Sequence, residues 1–349
     1  MTYDAIADLP VEIESYALER LERPVSSEFT RVTTVIRLRG LGEEGIGEDV
    51  VYDAIDHGAQ QEAGPVLPLS GRHTLDGFSR LLGDLNLFPS PPSREVSTLY
   101  RRWGFESAAL DLALRQAGRS LADALGRTPR PVTFVVSLRL GEPPSMAPVL
   151  QRLERYPSLR FKLDPTSSWT DELVADLLET GAVDSFDFKG RYTGTIVDQP
   201  PDPELYERVV RAFPDAWFED PALTEETERV LLPYRNRITW DEPIHSVADI
   251  EALPFPPRMV NVKPSRFESL QALFEAYAYC DERGIGIYGG GQFELGPGRG
   301  QIQYLASLFH PDNPNDVAPV GFHDSEPAPG LPTSPLEPAL ETSGFRWTS

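Results

Sequence analysis

Five charged residues stand at or next to the ends of five successive apolar segments, where their types could support metal binding and proton transfer. In chain order they are Lys162, Asp187, Glu219, Asp241 and Lys263. Successive members are 25, 32, 22 and 22 residues apart, which is about the length of one strand–helix unit. A proline stands within three residues of four of them, and proline cannot continue a central strand. The spacing therefore places the five side chains at one end of a parallel sheet.

Lysine is rare in this chain, which makes its positions informative. Of 32 lysines and arginines only Lys162, Lys189 and Lys263 are lysines, so 29 are arginines. A guanidinium stays charged, whereas a lysine amine can give up its proton when it is buried or close to other cations. A preference for arginine codons would explain the scarcity, but not why all three lysines stand at the ends of apolar segments. The three lysines are therefore candidates for chemistry.

The three acids and the two outer lysines indicate one kind of reaction. The carboxylates of Asp187, Glu219 and Asp241 suit a hard divalent ion, for which we predict Mg²⁺ with Mn²⁺ as the alternative. Removing a proton next to a carboxylate requires positive charge where the new negative charge develops. The same cations lower the pKa of a nearby lysine, so we assign acid and base roles to Lys162 and Lys263. The competing interpretation is that all five charges form buried ion pairs between strands.

The segments that must position these residues alternate with helical stretches. We expect eight strands, at residues 132–140, 159–163, 183–188, 216–219, 238–241, 259–263, 285–289 and 317–322. This alternation predicts an α/β protein, a (β/α)8 TIM-type barrel over residues 126–324. We expect an N-terminal α+β capping domain over residues 1–125, which includes the helix leading into the barrel. Residues 325–349 should form a tail that packs back on the surface.

With these features the chain resembles the enolase superfamily. The resemblance covers nearly the whole chain and rests on the five charged residues in their order, on a predicted turn with the sequence Gly-x-Gly-Glu at 45–48, and on the helical Ala-Leu-Asp-Leu-Ala-Leu at 109–114. The branch of muconate lactonizing enzyme and o-succinylbenzoate synthase is the most similar. The stretch Val-Asn-Val-Lys-Pro-Ser-Arg at 260–266 is most like that of the synthases.

This resemblance implies a metal-dependent lyase or isomerase that removes the proton α to a substrate carboxylate and forms an Mg²⁺-stabilised enediolate. The synthase-like stretch favours a dehydration like that of o-succinylbenzoate synthase. A cycloisomerase or an N-acylamino acid racemase would use the same lysine pair. Dipeptide epimerase activity ranks lower, because Asp-x-Asp is absent around residues 321–324. The remaining alternative is a catalytically altered barrel without metal that acts as a binding protein.

Four further residues are expected to contact the substrate or support the metal ligands, namely Arg160, Lys189, Glu242 and Glu294. Arg160 stands where the family has the first lysine of Lys-x-Lys, and Lys189 stands where it has the asparagine of Asp-x-Asn. Strand alternation puts Lys189 on the same face as Asp187. Lys189 would then pair with that acid and weaken metal binding, or it would bind a substrate anion.

The glycine-rich stretch at 289–300 follows the seventh predicted strand. We expect it to line the pocket, with Glu294 near Lys263. A loop of this kind can also cradle a phosphate, so a phosphate site is the alternative interpretation.

Overall charge excludes other classes of partner. A net charge of −22 argues against nucleic acid and against an anionic membrane surface. No apolar run reaches the length of a membrane span, and the single Cys280 cannot form an internal disulfide. We therefore expect a cytoplasmic protein that acts on a small carboxylate-bearing substrate, with a homo-oligomer as an option. The substrate itself is not determined by the sequence, and its determinants are expected on lid loops such as Leu21–Arg31.

Overall fold

Residues 3–25, 29–192, 194 and 199–348 are described by a computed structural model of the protein. Residues 26–28 of the predicted lid loop lie outside this description. The N-terminal part contains the helices and strands α1 (Asp4–Ala7), β1 (Pro10–Ile13), β2 (Ser15–Pro24), β3 (Thr30–Gly40), β4 (Glu43–Asp49), α2 (Ala54–Ala63), β5 (Gly71–Thr74), α3 (Leu75–Asp84), α4 (Ser97–Gln116) and α5 (Leu121–Leu125).

The antiparallel sheet β2-β3-β4 packs against the long helix α4. The Gly-x-Gly-Glu sequence was predicted as a turn but lies within strand β4. A Cβ at Gly47 would come within 2.1 Å of the carbonyl oxygen of Gly104, and one at Gly45 within 2.3 Å of that of Ala108. The two glycines therefore serve the close approach of helix and strand.

The C-terminal part alternates strands with helices in the predicted order. Its elements are β6 (Val136–Leu138), α6 (Ala147–Arg155), β7 (Phe161–Leu163), α7 (Asp171–Thr180), β8 (Val183–Asp187), α8 (Pro203–Ala212), β9 (Trp217–Glu219), α9 (Glu225–Leu231), β10 (Ile238–Thr239), α10 (Val247–Glu251), β11 (Met259–Val262), α11 (Leu270–Arg283), β12 (Gly286–Gly289) and α12 (Pro297–Phe309). Three 3₁₀ helices add Leu232–Arg237, Pro264–Arg266 and Val320–His323. Among the described residues, no helix has both the length and the apolar character needed to cross a membrane.

The barrel helices begin and end at residues that satisfy the exposed backbone groups. Helix α7 follows Thr170, whose side chain accepts a hydrogen bond from the Leu173 amide, and it ends at Gly181 with φ +60°. Helix α11 follows Ser269 in the same way and ends at Gly284 with φ +63°. A hydroxyl at the start and a left-handed glycine at the end are local signals, so the sequence fixes these boundaries.

The barrel strands form two parallel groups. Strands β6 to β10 form a five-stranded sheet in chain order, and β11 pairs with β12. An isolated bridge between Trp240 and Val260 joins the two groups. The alternation and order are those of the predicted barrel, but the strands are short and do not close into one continuous sheet.

The predicted eighth strand is absent from the described residues. Its second half forms the 3₁₀ helix Val320–His323. The eighth position is taken instead by Asn315 and Asp316, which bridge to Phe134 and Gly290 on either side. Prolines flank this segment, and because a proline cannot donate to a strand ladder, the pairing stays short.

The side chain of Asn315 stabilises the short pairing of residues 315–316 with Phe134 and Gly290, which we call the seam. Its Oδ1 accepts hydrogen bonds from the Gly289 amide over 2.7 Å and from His310 Nδ1 over 2.6 Å, and its Nδ2 donates to the Thr133 carbonyl over 3.0 Å. Because the amide oxygen can only accept, Nδ1 of His310 carries the proton. Its Nε2 is buried without a hydrogen-bond partner in the described structure. Protonating Nε2 would bury an unpaired N–H.

Glu48, the last residue of the Gly-x-Gly-Glu sequence, connects the capping region to the barrel. Its carboxylate accepts hydrogen bonds from the amides of Leu295 over 2.7 Å, Gly296 over 3.0 Å and Gly298 over 2.8 Å. These amides surround the start of α12, whose N-cap Gly296 has no side chain. A helix N-terminus attracts anions. Here the protein's own carboxylate fills the place where the glycine-rich loop would cradle a phosphate.

The segment after residue 324 packs back onto the capping region. Phe345 is buried, with its ring centroid 6.5 Å from that of Trp103 and 5.7 Å from that of Tyr304. Arg346 Nε lies 2.8 Å from Asp111 Oδ2 on α4. This segment therefore bridges the first half of the chain to helix α12.

We expect acid to destabilise the seam through His310. Burial lowers the pKa of His310 to about 4, from about 6.5 for a free histidine. Because the folded-state pKa is depressed, the contribution to stability is complete above pH 6.5 and is lost as the pH falls through 4. The loss from this side chain should be on the order of 3 kcal/mol of unfolding free energy. Urea unfolding between pH 7 and pH 4 measures it.

The variant His310→Gln isolates this effect, because glutamine does not titrate. The unfolding free energy of the wild type should fall by that amount relative to that of the variant as the pH is lowered from 7 to 4. A constant difference between the two proteins over this range would contradict the prediction.

We expect Glu48→Ala to lower the free energy of unfolding by about 2–4 kcal/mol, because three amides lose a charged acceptor at a helix start. Thermal and urea unfolding would measure the change. Glu44→Ala is the matched control on the same strand, since Glu44 is partly exposed and pairs with Arg37 and Arg39; it should cost less than about 1 kcal/mol. Equal losses in the two variants would show that Glu48 does not dock the two regions.

Candidate active site

The three predicted metal ligands converge at the carboxyl end of the barrel sheet. Asp187 and Glu219 are the last residues of β8 and β9 and lie opposite each other in register, and Asp241 follows β10 by two residues. All three are buried. One carboxylate oxygen from each lies within 4.8 Å of the others. Together they offer three oxygen donors to one point, and we call these residues the acid triad.

Each member of the acid triad is bonded to a different lysine. Lys162 Nζ lies 2.5 Å from Glu219 Oε1, and Lys263 Nζ lies 2.8 Å from Asp241 Oδ2. The Lys189 ammonium bonds to Asp187 Oδ2. All the lysines of the chain therefore meet at one site. This is the strongest agreement between the sequence pattern and the geometry.

Asp241 has further partners that the sequence analysis missed. Arg266 Nη1 donates to Asp241 Oδ1 over 2.9 Å and to its carbonyl over 2.5 Å, while the Tyr192 hydroxyl donates to Oδ2 over 3.0 Å. Arg266 lies in the synthase-like stretch three residues after Lys263, so a signal for it was available. Tyr192 arrives on the loop after β8, and no pattern in the sequence marks it.

Glu219 and Lys162 also have partners that were not predicted. The Tyr288 hydroxyl donates to Glu219 Oε2, and Asn261 Nδ2 lies 3.4 Å from the same oxygen. Asn261 stands two residues before Lys263 in β11, so strand alternation could have found it. Asp316 Oδ2 lies 3.7 Å from Lys162 Nζ. Asp316 was not predicted because the eighth strand was expected to begin one residue later, at residue 317.

The close charges move the pKa values in opposite directions. Burial raises the pKa of Asp241, but Arg266 and Lys263 outweigh it and hold the pKa well below the usual range. Burial, reinforced by the neighbouring carboxylates, raises the pKa of Glu219 well above its usual value despite Lys162. Burial lowers the pKa of Lys162, but Glu219 and two aspartates outweigh it, and the pKa lies well above the ordinary value. The site is therefore a cluster of strongly coupled charges.

Lys189 reaches the acid triad by a route different from the one expected. Strand β8 ends at Asp187, so strand alternation does not extend to Lys189, whose φ is +55°. This left-handed conformation is unusual for a residue other than glycine and is typical of functional sites. It lets the Lys189 amide donate to Asp187 Oδ1 over 3.1 Å while the ammonium bonds to Oδ2. Lys189 thus holds both oxygens of one carboxylate.

The structure does not bring the other three expected residues to the acid triad. Arg160 lies at the amino end of β7, two residues or about 7 Å before Lys162, and its Nε donates to Asp184 Oδ1 over 3.0 Å. The side chain of Glu242 is 38% exposed, and its Oε2 lies 3.9 Å from Arg191 Nε.

Glu294 was expected near Lys263 but folds back onto its own loop. Its Oε1 accepts a hydrogen bond from the Gln292 amide over 2.6 Å, and its Oε2 pairs with Arg299 Nη2 over 3.1 Å. Its carboxylate also raises the pKa of Glu48, a shift whose larger cause is burial. Glu294 therefore belongs to the contact between the capping region and the barrel.

Asp220, next to Glu219, supports the backbone of the site. Its two oxygens accept hydrogen bonds from the amides of Asp241 over 2.9 Å and Glu242 over 2.8 Å. Burial, followed by the charges of Asp241 and Asp187, raises the pKa of Asp220 to about 7. Asp220 thus positions the segment that carries the third acid.

The donor set fits a hard divalent ion. Three carboxylates from neighbouring strands supply the oxygen ligands that such ions prefer, and they leave further coordination positions for a substrate. The negative charge of the acid triad is balanced by Lys162, Lys189, Lys263 and Arg266. Since Lys189 engages both oxygens of Asp187, it would compete with an ion for this carboxylate.

The chain is similar to known proteins along most of its length. The family described as a domain of unknown function (DUF8230) matches with its C-terminal domain over residues 128–324 and with its N-terminal domain over residues 4–124. N-succinylamino acid racemase from Thermus thermophilus is 26% identical over 340 residues, covering 88% of this chain and 86% of the relative. o-Succinylbenzoate synthase from Geobacillus stearothermophilus is 24% identical over 330 residues, covering 89% and 85%.

Solved structures show the same fold. A member of the enolase superfamily from Enterococcus faecalis superposes with a TM-score of 0.66 at 20% identity, covering 88% of this chain and 86% of its own. A dipeptide epimerase from Methylococcus capsulatus, solved in complex with an Mg ion, gives a TM-score of 0.64 at 19% identity, covering 87% and 89%. These neighbours confirm the predicted barrel with its N-terminal capping domain. The chain belongs to the DUF8230 family, and its fold is that of the enolase-superfamily structure from Enterococcus faecalis.

Proposed function

We propose that this enzyme is a metal-dependent lyase or isomerase that removes the proton α to the carboxylate of a small substrate. The observation that carries the proposal is the acid triad, with oxygens within 4.8 Å of one another, between Lys162 and Lys263. The reaction we favour is a dehydration like that of o-succinylbenzoate synthase, the activity named for one relative. The cytoplasm is the proposed location.

Asp187, Glu219 and Asp241 would hold the ion, for which we propose Mg²⁺, with Mn²⁺ as the alternative. A bound divalent ion would supply Lewis-acid stabilisation of the negative charge that develops on the substrate carboxylate. The protein supplies the rest of the positive charge through Lys162, Lys263 and other cations around the acid triad. These contributions are all electrostatic. Each charge interacts more strongly with the substrate in a buried site than it would in water.

The two lysines would have different roles in a dehydration. Lys162 lies on β7 and Lys263 follows β11, with the three acid-bearing strands between them. In a dehydration one amine takes the α-proton, a double bond forms, and the hydroxyl on the next carbon leaves as water with a returned proton. The second lysine needs only to stay charged beside the substrate.

The pKa of Lys162 depends on its carboxylate partners. Burial favours the neutral amine, and Glu219 and Asp187 oppose it. If those oxygens bound a divalent ion, Lys162 would lose the contacts that hold its pKa high, and burial would dominate. Lys162 would then be able to accept a proton and to act as the base.

An N-acylamino acid racemase is the second candidate, and the placement of the two lysines favours it. A racemase needs one amine on each side of the α-carbon, and Lys162 and Lys263 lie on opposite sides of the acid triad. A cycloisomerase would use the same pair with only one proton transfer. The two activities named for the relatives, racemase and synthase, share the proton abstraction that we propose.

We expect calorimetric titration to detect one Mg²⁺ per chain, and Asp241→Asn to weaken that binding by about 100-fold or more, because one charged ligand is lost. Glu242→Gln is the matched control. Its carboxylate is the next in the chain but turns to Arg191 and solvent, so its affinity should stay within about threefold of wild type. Equal affinities in all three proteins would place the ion elsewhere.

We expect the wild type with Mg²⁺ to exchange the α-hydrogen of a single-enantiomer N-succinylamino acid in D₂O, followed by proton NMR. Lys162→Ala or Lys263→Ala should lower this rate by about 100-fold or more, because general-base catalysis contributes at least that much. Native rates in both alanine variants would show that neither lysine transfers the proton.

The variants Lys162→Arg and Lys263→Arg assign the two roles, because arginine keeps the charge but cannot accept a proton. At the lysine that acts as base, the arginine variant should exchange as slowly as the alanine variant. At the lysine that acts only as a cation, the arginine variant should exchange faster than the alanine variant. Loss of optical activity together with exchange would favour the racemase over the dehydratase.

A further inference from the structure

The ammonium of Lys189 lies between two carboxylates. It bonds to Asp187 Oδ2 and lies 4.0 Å from Asp164 Oδ1, with the ring centroid of Tyr192 5.1 Å away. Its side chain is 17% exposed, so it occupies the wall of the site and not the solvent. Two acceptors and an aromatic face are thus within reach of one flexible side chain.

The second carboxylate has an oxygen with no hydrogen-bond partner. Asp164 follows β7, and its Oδ2 accepts a hydrogen bond from Arg139 Nε over 2.9 Å. Its Oδ1 is shielded from solvent and has no hydrogen-bond partner among the described residues. The whole residue is only 9% exposed. Leaving such an oxygen unpaired costs free energy, which suggests that a donor reaches it in another state of the protein.

The first carboxylate, in contrast, has more donors than it can keep when an ion binds. Asp187 receives the Lys189 amide on Oδ1 and the ammonium on Oδ2, and Lys162 Nζ lies 3.4 Å from Oδ2. A divalent ion that takes an oxygen of Asp187 would be repelled by an ammonium on the same group. The ammonium would therefore give up its hydrogen bond to Asp187, and a carboxylate oxygen is the new partner that costs least.

We propose that Lys189 is a mobile counter-ion that moves from Asp187 to Asp164 when a divalent ion binds at the acid triad. This inference rests on the proposed metal-dependent function. The change from 4.0 Å to a hydrogen bond of about 2.9 Å is a movement of about 1 Å, which rotation of the side chain supplies.

The backbone of Lys189 is fixed, so only the side chain moves. The Lys189 amide is bonded to Asp187, and the next amide, that of Gly190, donates to the Asp220 carbonyl over 2.9 Å. The Tyr192 ring contacts the cation in the position bonded to Asp187. In this arrangement the lysine neutralises Asp187 in the absence of metal and neutralises Asp164 in its presence, so the affinity for metal is set by a competition inside the protein.

Calorimetric titration with MgCl₂ tests the exchange through a double-mutant cycle of Lys189→Gln and Asp164→Asn. We expect Lys189→Gln to tighten Mg²⁺ binding by about tenfold or more, because the competitor is gone. Asp164→Asn should weaken binding by about tenfold in the wild-type background and by less than about threefold in the Lys189→Gln background. Asp184→Asn, which removes an acid paired with Arg160 far from the acid triad, is the control and should bind like wild type.

A crystal structure of the wild type with Mn²⁺ gives a second readout that needs no variant. We expect Lys189 Nζ within about 3 Å of Asp164 Oδ1. An ammonium still bonded to Asp187 beside the ion would overturn the proposal, as would equal Mg²⁺ affinities of wild type and Lys189→Gln or equal effects of Asp164→Asn in both backgrounds. Each of these outcomes leaves the metal-dependent function in place. Failure of every variant and the wild type to bind Mg²⁺ would overturn both proposals.

Discussion

Three buried carboxylates within 4.8 Å of one another are the constraint on which this structure depends. Burying a single ion costs several kcal/mol unless it is paired, and three like charges add their mutual repulsion. The protein meets this cost with its three lysines, one on each acid, and with Arg266 on Asp241, while the other basic residues are arginines. All the lysines of the chain therefore lie at this site, and the exposed basic residues are arginines.

The rest of the fold keeps this cluster in register. Parallel strands bring Asp187 and Glu219 side by side because their carboxyl ends share one edge of the sheet. Two polar contacts then fix the surroundings. Asn315 joins the ends of the strand series where backbone pairing is short, and Glu48 binds the capping region to the start of α12. Both replace missing backbone or capping partners with a buried side chain.

Residue spacing was enough to predict the barrel, the acid triad and the two lysines beside it. Each of these signals is local, since an apolar segment, a charge and a proline within a few residues mark the end of a strand. The fold of the superfamily that these residues resemble is confirmed by the solved structures. Spacing failed where a contact comes from afar or where a strand is interrupted. Tyr192, Glu48 and the short eighth position, Asn315–Asp316, are examples.

The sequence by itself determined which residue types stand at the strand ends, and therefore the kind of chemistry that is available. Tertiary structure alone decided the pairing. Lys189 takes a left-handed conformation and bonds to Asp187, Arg160 pairs with Asp184 on the neighbouring strand, and Glu294 joins the contact between the capping region and the barrel. The reason is physical: a strand period fixes the face of a residue only while the strand lasts, and beyond its end a charged side chain pairs with an opposite charge that the fold brings within reach.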